Sequence, residues 1–341
     1  MKLAVLDDVE GFARTQVDWR RLPGGVDVEV LDRYDDIDAL VRHLRGCEMV
    51  LGMRERTPFP RWLLERLPDL QLLITTGMRN ASFDIAAASD LGIVVAGAPG
   101  AGQGTAELTW ALILAVQRRL VVEDRAVRDG RWGTTVGAEL AGRTLGILGL
   151  GRVGGAVAKV ARAFDMRVMA WSRSLTPDRA AAHGADAVAK DEVLRRADIV
   201  SVHVRLTDET RGMIGAHELG LLRATAVVIN TSRGPVIDES ALLAALRSGA
   251  IAGAGLDVYH EEPLPAGHPL TRLDNVVLLP HRGYVTDAGF AAFYRNAIEV
   301  VEGMVTGRPV RVLNPDVLDS PHLRAAHLRG RGTLGGSMHD R

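Results

Sequence analysis

The stretch LGILGLGRVGGAVAKVARAF, residues 145–164, joins a short apolar run to a helical pattern through closely spaced glycines. Gly149, Gly151 and Gly154 form a G-x-G-x-x-G array. The first glycine permits a tight turn, the second lets a pyrophosphate approach the backbone, and the third lets the helix pack close to the strand. Because glycines also mark ordinary turns, the pattern around the array decides its meaning.

Short apolar runs alternate with helical patterns on both sides of this turn, which predicts an α/β protein with parallel sheets covered on both faces. The runs that we assign to strands near the turn are RTLGILGLG, MRVMAW, ADIVSVHV, TAVVINTS, GAGLDVY and NVVLLPH. Six strands in about 150 residues are typical of a complete doubly wound (Rossmann) nucleotide-binding domain. Together with the glycine array, they favour a cofactor site over an ordinary turn.

The chain is long enough for two domains. We expect a Rossmann cofactor domain over residues 105–287, inserted into a smaller, flavodoxin-like α/β substrate domain of residues 1–104 and 288–317. Substrate is then expected in a cleft between the domains. The segment 318–341 is polar, rich in glycine and basic, and is predicted to be mobile.

The chain has 41 basic and 42 acidic residues, so its net charge is close to zero. No overall electrostatic field is therefore expected to attract nucleic acid or a membrane. The single cysteine, Cys47, excludes an intramolecular disulfide and fits a reducing cytosol, so a cytoplasmic protein is expected. No cluster of residues indicates a metal site. The expected partners are a small molecule and a second copy of the chain.

The long helical pattern over residues 105–130 is apolar around much of its circumference near its start. Such a helix is buried, either within the core of its own domain or between subunits. The second alternative favours a homodimer.

The end of the strand MRVMAW carries no acidic residue. Ser172 stands where an Asp or Glu usually binds the adenosine ribose of NAD, about 20 residues after the first glycine. Ser172 removes the repulsion of a 2′-phosphate, and Arg173 can bind that phosphate with its planar guanidinium. We therefore favour NADP(H), with NAD(H) as the alternative if Arg173 is only a solvated arginine.

Three later segments follow the glycine turn: NTSRGPVID from Asn230, GAGLDVYHEEPLP from Gly253 and LLPHRGYVT from Leu278. In this order, they resemble the D-isomer-specific 2-hydroxyacid dehydrogenase family. The similarity extends from the first strand to about Asn314. The resemblance implies the reduction of a 2-oxo acid, which needs a cation for the substrate carboxylate, a proton donor for the carbonyl oxygen and a hydride from a nicotinamide.

The resemblance implies that Arg233 binds the substrate carboxylate, that His281 is the proton donor, and that Glu262 orients the imidazole and stabilises its protonated form. Glu262 is preferred to Glu261 because the family's catalytic glutamate directly precedes the proline. The residues predicted to bind the cofactor are Gly149, Gly151, Arg152, Val153, Gly154, Ser172, Arg173, Ser174, Val204, Arg205, Thr231, Asp257 and Gly283.

The loop TTGMRNASFD resembles the family loop whose backbone amides hold the substrate carboxylate, so Thr76, Gly77 and Met78 are substrate candidates beside Arg233. The loop RERTPF, residues 54–59, either faces the cleft or is a solvated charged turn. Arg205 stands where the family often has proline, and either joins Arg173 near a 2′-phosphate or points into solvent. Arg282 adds a charge where an apolar residue is common.

The predicted reaction is the reversible NAD(P)H-dependent reduction of a small 2-oxo acid, such as glyoxylate or hydroxypyruvate, to a D-2-hydroxy acid. Relatives of this fold that oxidise formate, phosphite or 3-phosphoglycerate are one alternative, although no extra regulatory domain is evident. A nucleotide-sensing corepressor is another alternative, from a different class of protein.

Overall fold

The structure, a computed structural model, describes residues 1–34 and 36–328. Contacts divide the chain into two compact units: residues 1–102 with the segment that begins at Thr286, and residues 103–285. Within the described residues, no helix is both long enough and apolar enough to cross a membrane. The same part of the chain holds no grouping of three or more His, Cys, Asp or Glu side chains suited to a metal ion.

The first unit is built on a five-stranded parallel sheet with the order β2-β1-β3-β4-β5. Four of its strands are short, apolar and almost fully buried because helices cover the sheet, whereas the edge strand Asp27–Val30 is more exposed. The strands are β1 (Lys2–Val5), β2 (Asp27–Val30), β3 (Met49–Gly52), β4 (Leu72–Thr76) and β5 (Val94–Ala98). Its helices are α1 (Phe12–Gln16), α2 (Ile37–Leu44), α3 (Arg61–Leu64), α4 (Ile85–Asp90) and α12 (Asp287–Val305).

The chain returns to the first unit through α12, which packs against β4 and β5. Asn314 joins the segment after α12 to β5. Its Oδ1 accepts a hydrogen bond from Val95 N at 2.8 Å, and its Nδ2 donates one to Ile93 O at 2.9 Å. A buried amide side chain thus satisfies the backbone of β5, whose edge away from β4 also pairs with residues 311–313.

The segment predicted to be mobile from residue 318 is packed over its first part. Leu323 and Leu328 are each 1% exposed. Arg324 donates from its backbone to Gly92 O and from its side chain to Leu67 O and Leu70 O, at 2.9, 2.7 and 3.1 Å. The expectation of mobility is therefore wrong for residues 318–328, because apolar side chains inside the basic sequence bury against the first unit. Residues 329–341 lie outside the described part of the chain.

The second unit is built on a seven-stranded parallel sheet with the order β12-β11-β10-β9-β6-β7-β8, which confirms the predicted fold class. Its strands are β6 (Thr144–Leu148), β7 (Arg167–Trp171), β8 (Asp186–Ala187), β9 (Ile199–Val202), β10 (Val227–Asn230), β11 (Gly253–Leu256) and β12 (Val276–Leu278). The six predicted strands are present. The additional β8 has two residues, too few to leave an apolar run in the sequence.

Helices cover both faces of this sheet and enclose a hydrophobic core on each. They are α5 (Gly104–Gln117), α6 (Leu120–Arg128), α7 (Arg152–Ala163), α8 (Pro177–Ala181), α9 (Lys190–Arg196), α10 (Ala216–Gly220) and α11 (Glu239–Ser248). The parallel strands bring their carboxyl ends to one edge of the sheet, where ligands of this fold bind.

The long helix predicted over residues 105–130 is two helices, α5 and α6, because the chain turns at Arg119 with a left-handed φ of 53°. α5 packs on β10, β11 and α7, with Leu112 and Ile113 at most 1% exposed. Its apolar circumference therefore belongs to the core of the second unit. The exposed apolar residues of this region lie on α6 instead.

Candidate active site

The glycine array lies at the carboxyl end of β6, which lies between β9 and β7 inside the seven-stranded sheet. Gly149 has a φ of 104°, and a Cβ there would lie 2.7 Å from the carbonyl carbon of His203. A Cβ on Gly154 would lie 2.3 Å from Gly149 O, whereas one on Gly151 meets open space. Gly149 and Gly154 therefore permit close backbone packing, and Gly151 leaves room for a ligand at the start of α7. This arrangement fits the pyrophosphate of a dinucleotide.

Arg152 and Val153 form the first turn of α7, as expected for residues beside a bound phosphate. Ser172 follows β7, and its Oγ accepts a hydrogen bond from Leu150 N at 2.8 Å. The hydroxyl thus ties the end of β7 to the glycine turn. Arg173, the next residue, is exposed and forms an ion pair with Glu209.

Ser174, Val204 and Arg205 also lie at the carboxyl edge of the sheet. Ser174 O accepts from Arg179 Nη1 at 3.0 Å, and Arg205 is exposed. Thr231, at the end of β10, is buried, and its hydroxyl is 2.9 Å from the hydroxyl of Thr109 on α5.

Asp257, one of the predicted cofactor-binding residues, is 1% exposed. Its carboxylate accepts from Arg282 N at 2.6 Å and from Gly283 N at 2.9 Å. Burial raises the pKa of this carboxyl against the opposing effect of these two hydrogen bonds. Asp257 therefore positions the loop after β12, and its contact with a cofactor stays a prediction. Gly283 belongs to the same loop, which Thr105 holds with a hydrogen bond to Gly283 O at 3.0 Å.

His281 and Glu262 are joined by a hydrogen bond of 2.6 Å between Nδ1 and Oε2. The histidine follows β12 with a left-handed φ of 54°, a conformation that costs free energy for a residue with a side chain and that often occurs at functional sites. Tyr284 stacks edge-on against the imidazole, with ring centroids 5.8 Å apart. These contacts orient the ring so that Nε2 is the nitrogen that can exchange a proton with a substrate.

The second carboxylate oxygen of Glu262 accepts from Tyr259 N at 2.9 Å. Partial burial raises the pKa of Glu262, but the hydrogen bond and charge of His281, the Tyr259 amide and the charge of Arg233 outweigh this effect. The net pKa is lowered from its usual value of 4.5. Glu262 is therefore ionised at neutral pH and can stabilise a protonated imidazole.

Arg233 follows β10 and precedes a short 3₁₀ helix, Gly234–Val236. A Cβ on Gly234 would lie 2.0 Å from the carbonyl carbon of Tyr259, so only glycine permits this approach of the two loops. The sequence interpretation missed this role of Gly234, although its place directly after a candidate binding residue is a signal. The close approach brings Arg233 near enough to Glu262 to lower its pKa.

The predicted substrate loop lies in the first unit. Thr76 is fully buried at the end of β4, and the side chain of Met78 is 43% exposed. The Gly77 N–H donates to Ala98 O at 2.5 Å. The Gly77 amide is thus used in pairing with β5, and the binding of substrate by this loop stays a prediction.

Arg54 joins the two strand-end loops of the first unit. Its backbone N–H donates to Thr76 Oγ1 at 2.8 Å, and its Nη1 donates to Thr76 O at 3.1 Å. Asn80 Nδ2 in turn donates to Arg54 O at 2.6 Å. The loop 54–59 is therefore not a solvated turn at Arg54 but part of one hydrogen-bonded assembly with the loop 75–80. Sequence reasoning missed Asn80, which offers no local signal.

The fold and the site define a dinucleotide-dependent oxidoreductase with an acid–base pair at the edge of the cofactor-binding sheet. Residues 110–283 match the family model "D-isomer specific 2-hydroxyacid dehydrogenase, NAD binding domain". The chain belongs to this family, and it is an NAD(P)-binding enzyme that acts on CH–OH groups.

Similar proteins extend the match over most of the chain. A glyoxylate reductase of Thermococcus litoralis is 42% identical over 312 residues, covering 87% of this chain and 89% of the relative. A glyoxylate reductase of Aeropyrum pernix is 39% identical over 306 residues, covering 86% and 91%. The crystal structure of a putative D-3-phosphoglycerate dehydrogenase oxidoreductase from Ralstonia solanacearum superposes with a TM-score of 0.87 at 34% identity, covering 94% of this chain and 98% of that one.

Proposed function

We propose that this enzyme reduces a small 2-oxo acid of the glyoxylate or hydroxypyruvate class to the D-2-hydroxy acid, with NADPH as the favoured cofactor. The hydrogen bond of 2.6 Å between His281 and the ionised Glu262 carries the proposal, because it orients a proton donor beside Arg233. The similarity to two glyoxylate reductases supports this substrate class.

Each residue has one task in this reaction. Arg233 binds the substrate carboxylate with two parallel hydrogen bonds, which fixes the plane of the 2-oxo acid. His281 donates a proton to the carbonyl oxygen, and Glu262 stabilises the charged imidazole before the transfer. Asp257 holds the loop that carries His281. The nicotinamide, when bound, supplies the hydride.

The substrate class is tested by steady-state reduction of glyoxylate, hydroxypyruvate, pyruvate and a bulkier 2-oxo acid. We expect the highest kcat/KM for glyoxylate or hydroxypyruvate. His281→Asn should lower kcat by roughly 10²- to 10⁴-fold, the usual contribution of a general acid. His217→Asn is the control, because His217 is an exposed histidine on α10. The absence of turnover with every 2-oxo acid would contradict the proposal.

The cofactor preference rests on Ser172 and Arg173 at the end of β7. A Ser172→Asp, Arg173→Gln variant should raise KM for NADPH much more than KM for NADH, since the acid repels a 2′-phosphate and the guanidinium is lost. Equal effects on both cofactors would contradict the preference.

We also propose that the enzyme is a cytoplasmic homodimer. Large apolar side chains are exposed along α6 and the segment that follows it: Leu120, Val121, Val127, Trp132 and Val136. Glu123 holds this segment on α6 by accepting from Thr134 N at 3.2 Å and Thr134 Oγ1 at 3.0 Å. A groove of about 250 Å³ between α6 and β12 adjoins it. These exposed apolar side chains favour a second copy of the chain as partner.

Light scattering tests the dimer. Val127→Glu, which places a charge on α6, should shift the protein to the mass of one chain. Val310→Glu, at an exposed apolar residue of the first unit, should leave the mass unchanged. A parent protein with the mass of one chain would contradict the dimer.

A further inference from the structure

The ion pair of Arg173 and Glu209 crosses the carboxyl end of β6. Arg173 follows β7, and Glu209 lies in the turn after β9. β7 and β9 flank β6 on opposite sides. The pair therefore spans the strand that carries the glycine turn, on the side where the adenosine ribose of a dinucleotide lies in this fold.

The turn that carries Glu209 is fixed by its own hydrogen bonds. Thr210 Oγ1 donates to Arg205 O at 2.6 Å and accepts from Thr207 N at 2.8 Å. Thr210 N also donates to Thr207 O at 3.1 Å. Glu209 is thus presented to Arg173 from a set position, while both side chains remain open to solvent, at 68% and 77% exposure.

A ligand with a 2′-phosphate has to compete with Glu209 for the guanidinium. The phosphate carries close to two negative charges at neutral pH, so it binds Arg173 but is repelled by a carboxylate at the same place. The ribose of NADH presents hydroxyl groups there, which a carboxylate accepts as hydrogen-bond donors. Glu209 therefore has opposite effects on the two cofactors.

We propose that Glu209 sets the ratio of NADPH to NADH affinity by occupying Arg173. Glu209 thereby limits the preference for NADPH that Arg173 gives. This inference rests on the proposed function in one respect, that the protein binds both nucleotides at the glycine turn. Glu209 is a specificity-determining residue that acts through Arg173.

The test is a binding titration of the full-length protein with NADPH and with NADH, without substrate, followed by the fluorescence of the reduced nicotinamide. Glu209→Gln should lower the Kd for NADPH roughly two- to fivefold, the range expected from releasing an exposed ion pair. The Kd for NADH should stay equal or rise. In competition with the bound cofactor, the same variant should bind 2′,5′-ADP more tightly relative to AMP than the parent protein does. These two competitors differ in the 2′-phosphate and both lack the nicotinamide, so they measure the effect of the phosphate alone.

Asp208→Asn is the matched control, because it removes a neighbouring exposed charge from the same turn outside the ion pair. An unchanged ratio of the two Kd values in Glu209→Gln, or an equal change in Asp208→Asn, would overturn the inference. The inference would also be overturned if Glu209→Gln changed the ratio of the two Kd values equally in an Arg173→Gln variant, because that variant has no guanidinium for Glu209 to bind. Failure of the parent protein to bind either nucleotide would instead contradict the proposed function, and the inference with it.

Discussion

Asp257 fixes the loop of His281 from the neighbouring strand: its carboxylate accepts the backbone amides of the two residues that follow the histidine, at 2.6 and 2.9 Å. The carboxylate is buried at the end of β11, whereas the histidine follows β12. The orientation of the imidazole therefore depends on a side chain that need not touch the substrate.

Asp257→Asn should destabilise the protein and lower kcat. The amide keeps one acceptor but places an N–H against a backbone N–H, and leaving one buried donor unsatisfied costs about 1–3 kcal/mol. Urea unfolding measures the free-energy change, and steady-state kinetics measure kcat. Asp274→Asn, at an exposed position, is the control. A variant with full stability and full kcat would show that the two hydrogen bonds do not hold the loop.

Glu262→Gln should lose stability relative to the parent protein at neutral pH, and this difference should shrink in acid. The folded-state pKa of Glu262 lies below its usual value of 4.5. Stability from an acid with a lowered pKa is present above the unfolded value and lost as the pH falls through the folded one. Urea unfolding at a series of pH values from 7 to below 4 measures it. A difference that is constant down to the lowest pH would contradict the ionised pair.

We expect the free energy of unfolding to depend on pH through His203 as well, in a different pH range. Burial lowers its pKa from 6.5 to about 4, so the unfolded chain binds a proton there that the folded protein excludes. The free energy of unfolding should rise between pH 4 and 6.5, by about 3–4 kcal/mol at most from this residue.

His203→Gln keeps a polar partner for the hydroxyl of Ser201, which lies 2.8 Å from the imidazole, but cannot take up the proton. The variant should therefore have a flatter stability curve between pH 4 and 6.5, while His217→Gln should follow the parent. A parent curve without a slope in this window would contradict the neutral buried histidine.

Gly77→Ala should be strongly destabilising. Gly77 has a φ of 103°, and its added Cβ would lie 2.0 Å from Arg54 Nη1. The methyl group both strains the backbone and displaces the guanidinium that joins the two loops of the first unit. We expect a loss of about 2 kcal/mol or more, measured by urea unfolding.

Gly102→Ala is the control for the cost of backbone strain alone. Gly102 also has a positive φ of 90°, but a Cβ added there would meet open space. A loss at Gly77 no greater than that at Gly102 would show that the Arg54 contact contributes nothing to stability.

Local sequence patterns were enough to predict the fold class and the glycine turn. The roles of Gly149 and Gly154 follow from spacing, because a strand, a turn and a helix are local structures. The family motifs also identified Arg233, Glu262 and His281, which the structure places on neighbouring loops. Their catalytic roles remain predictions, which the substitutions above test.

Contacts between distant parts of the chain could not be predicted in this way. The Gly77 amide is used by Ala98, and Arg173 is held by Glu209, through sheet neighbours that the sequence does not specify. The break at Arg119 was also missed, since a left-handed arginine has no signature in an otherwise helical pattern. The hydrogen bonds of Asp257 to the loop of His281 were missed as well, because they depend on strand order.

The contact of Gly234 with the Tyr259 carbonyl carbon bears on how the enzyme can be redesigned. A library that randomises Gly234 to alter the neighbourhood of Arg233 would separate the carboxylate-binding loop from the loop of Glu262, because even a methyl group does not fit. Such a library would return mostly inactive protein, whatever the new side chain offers a substrate. Variation at the partly exposed Arg282 leaves that contact and the ring against His281 intact, and new substrate ranges should be sought there.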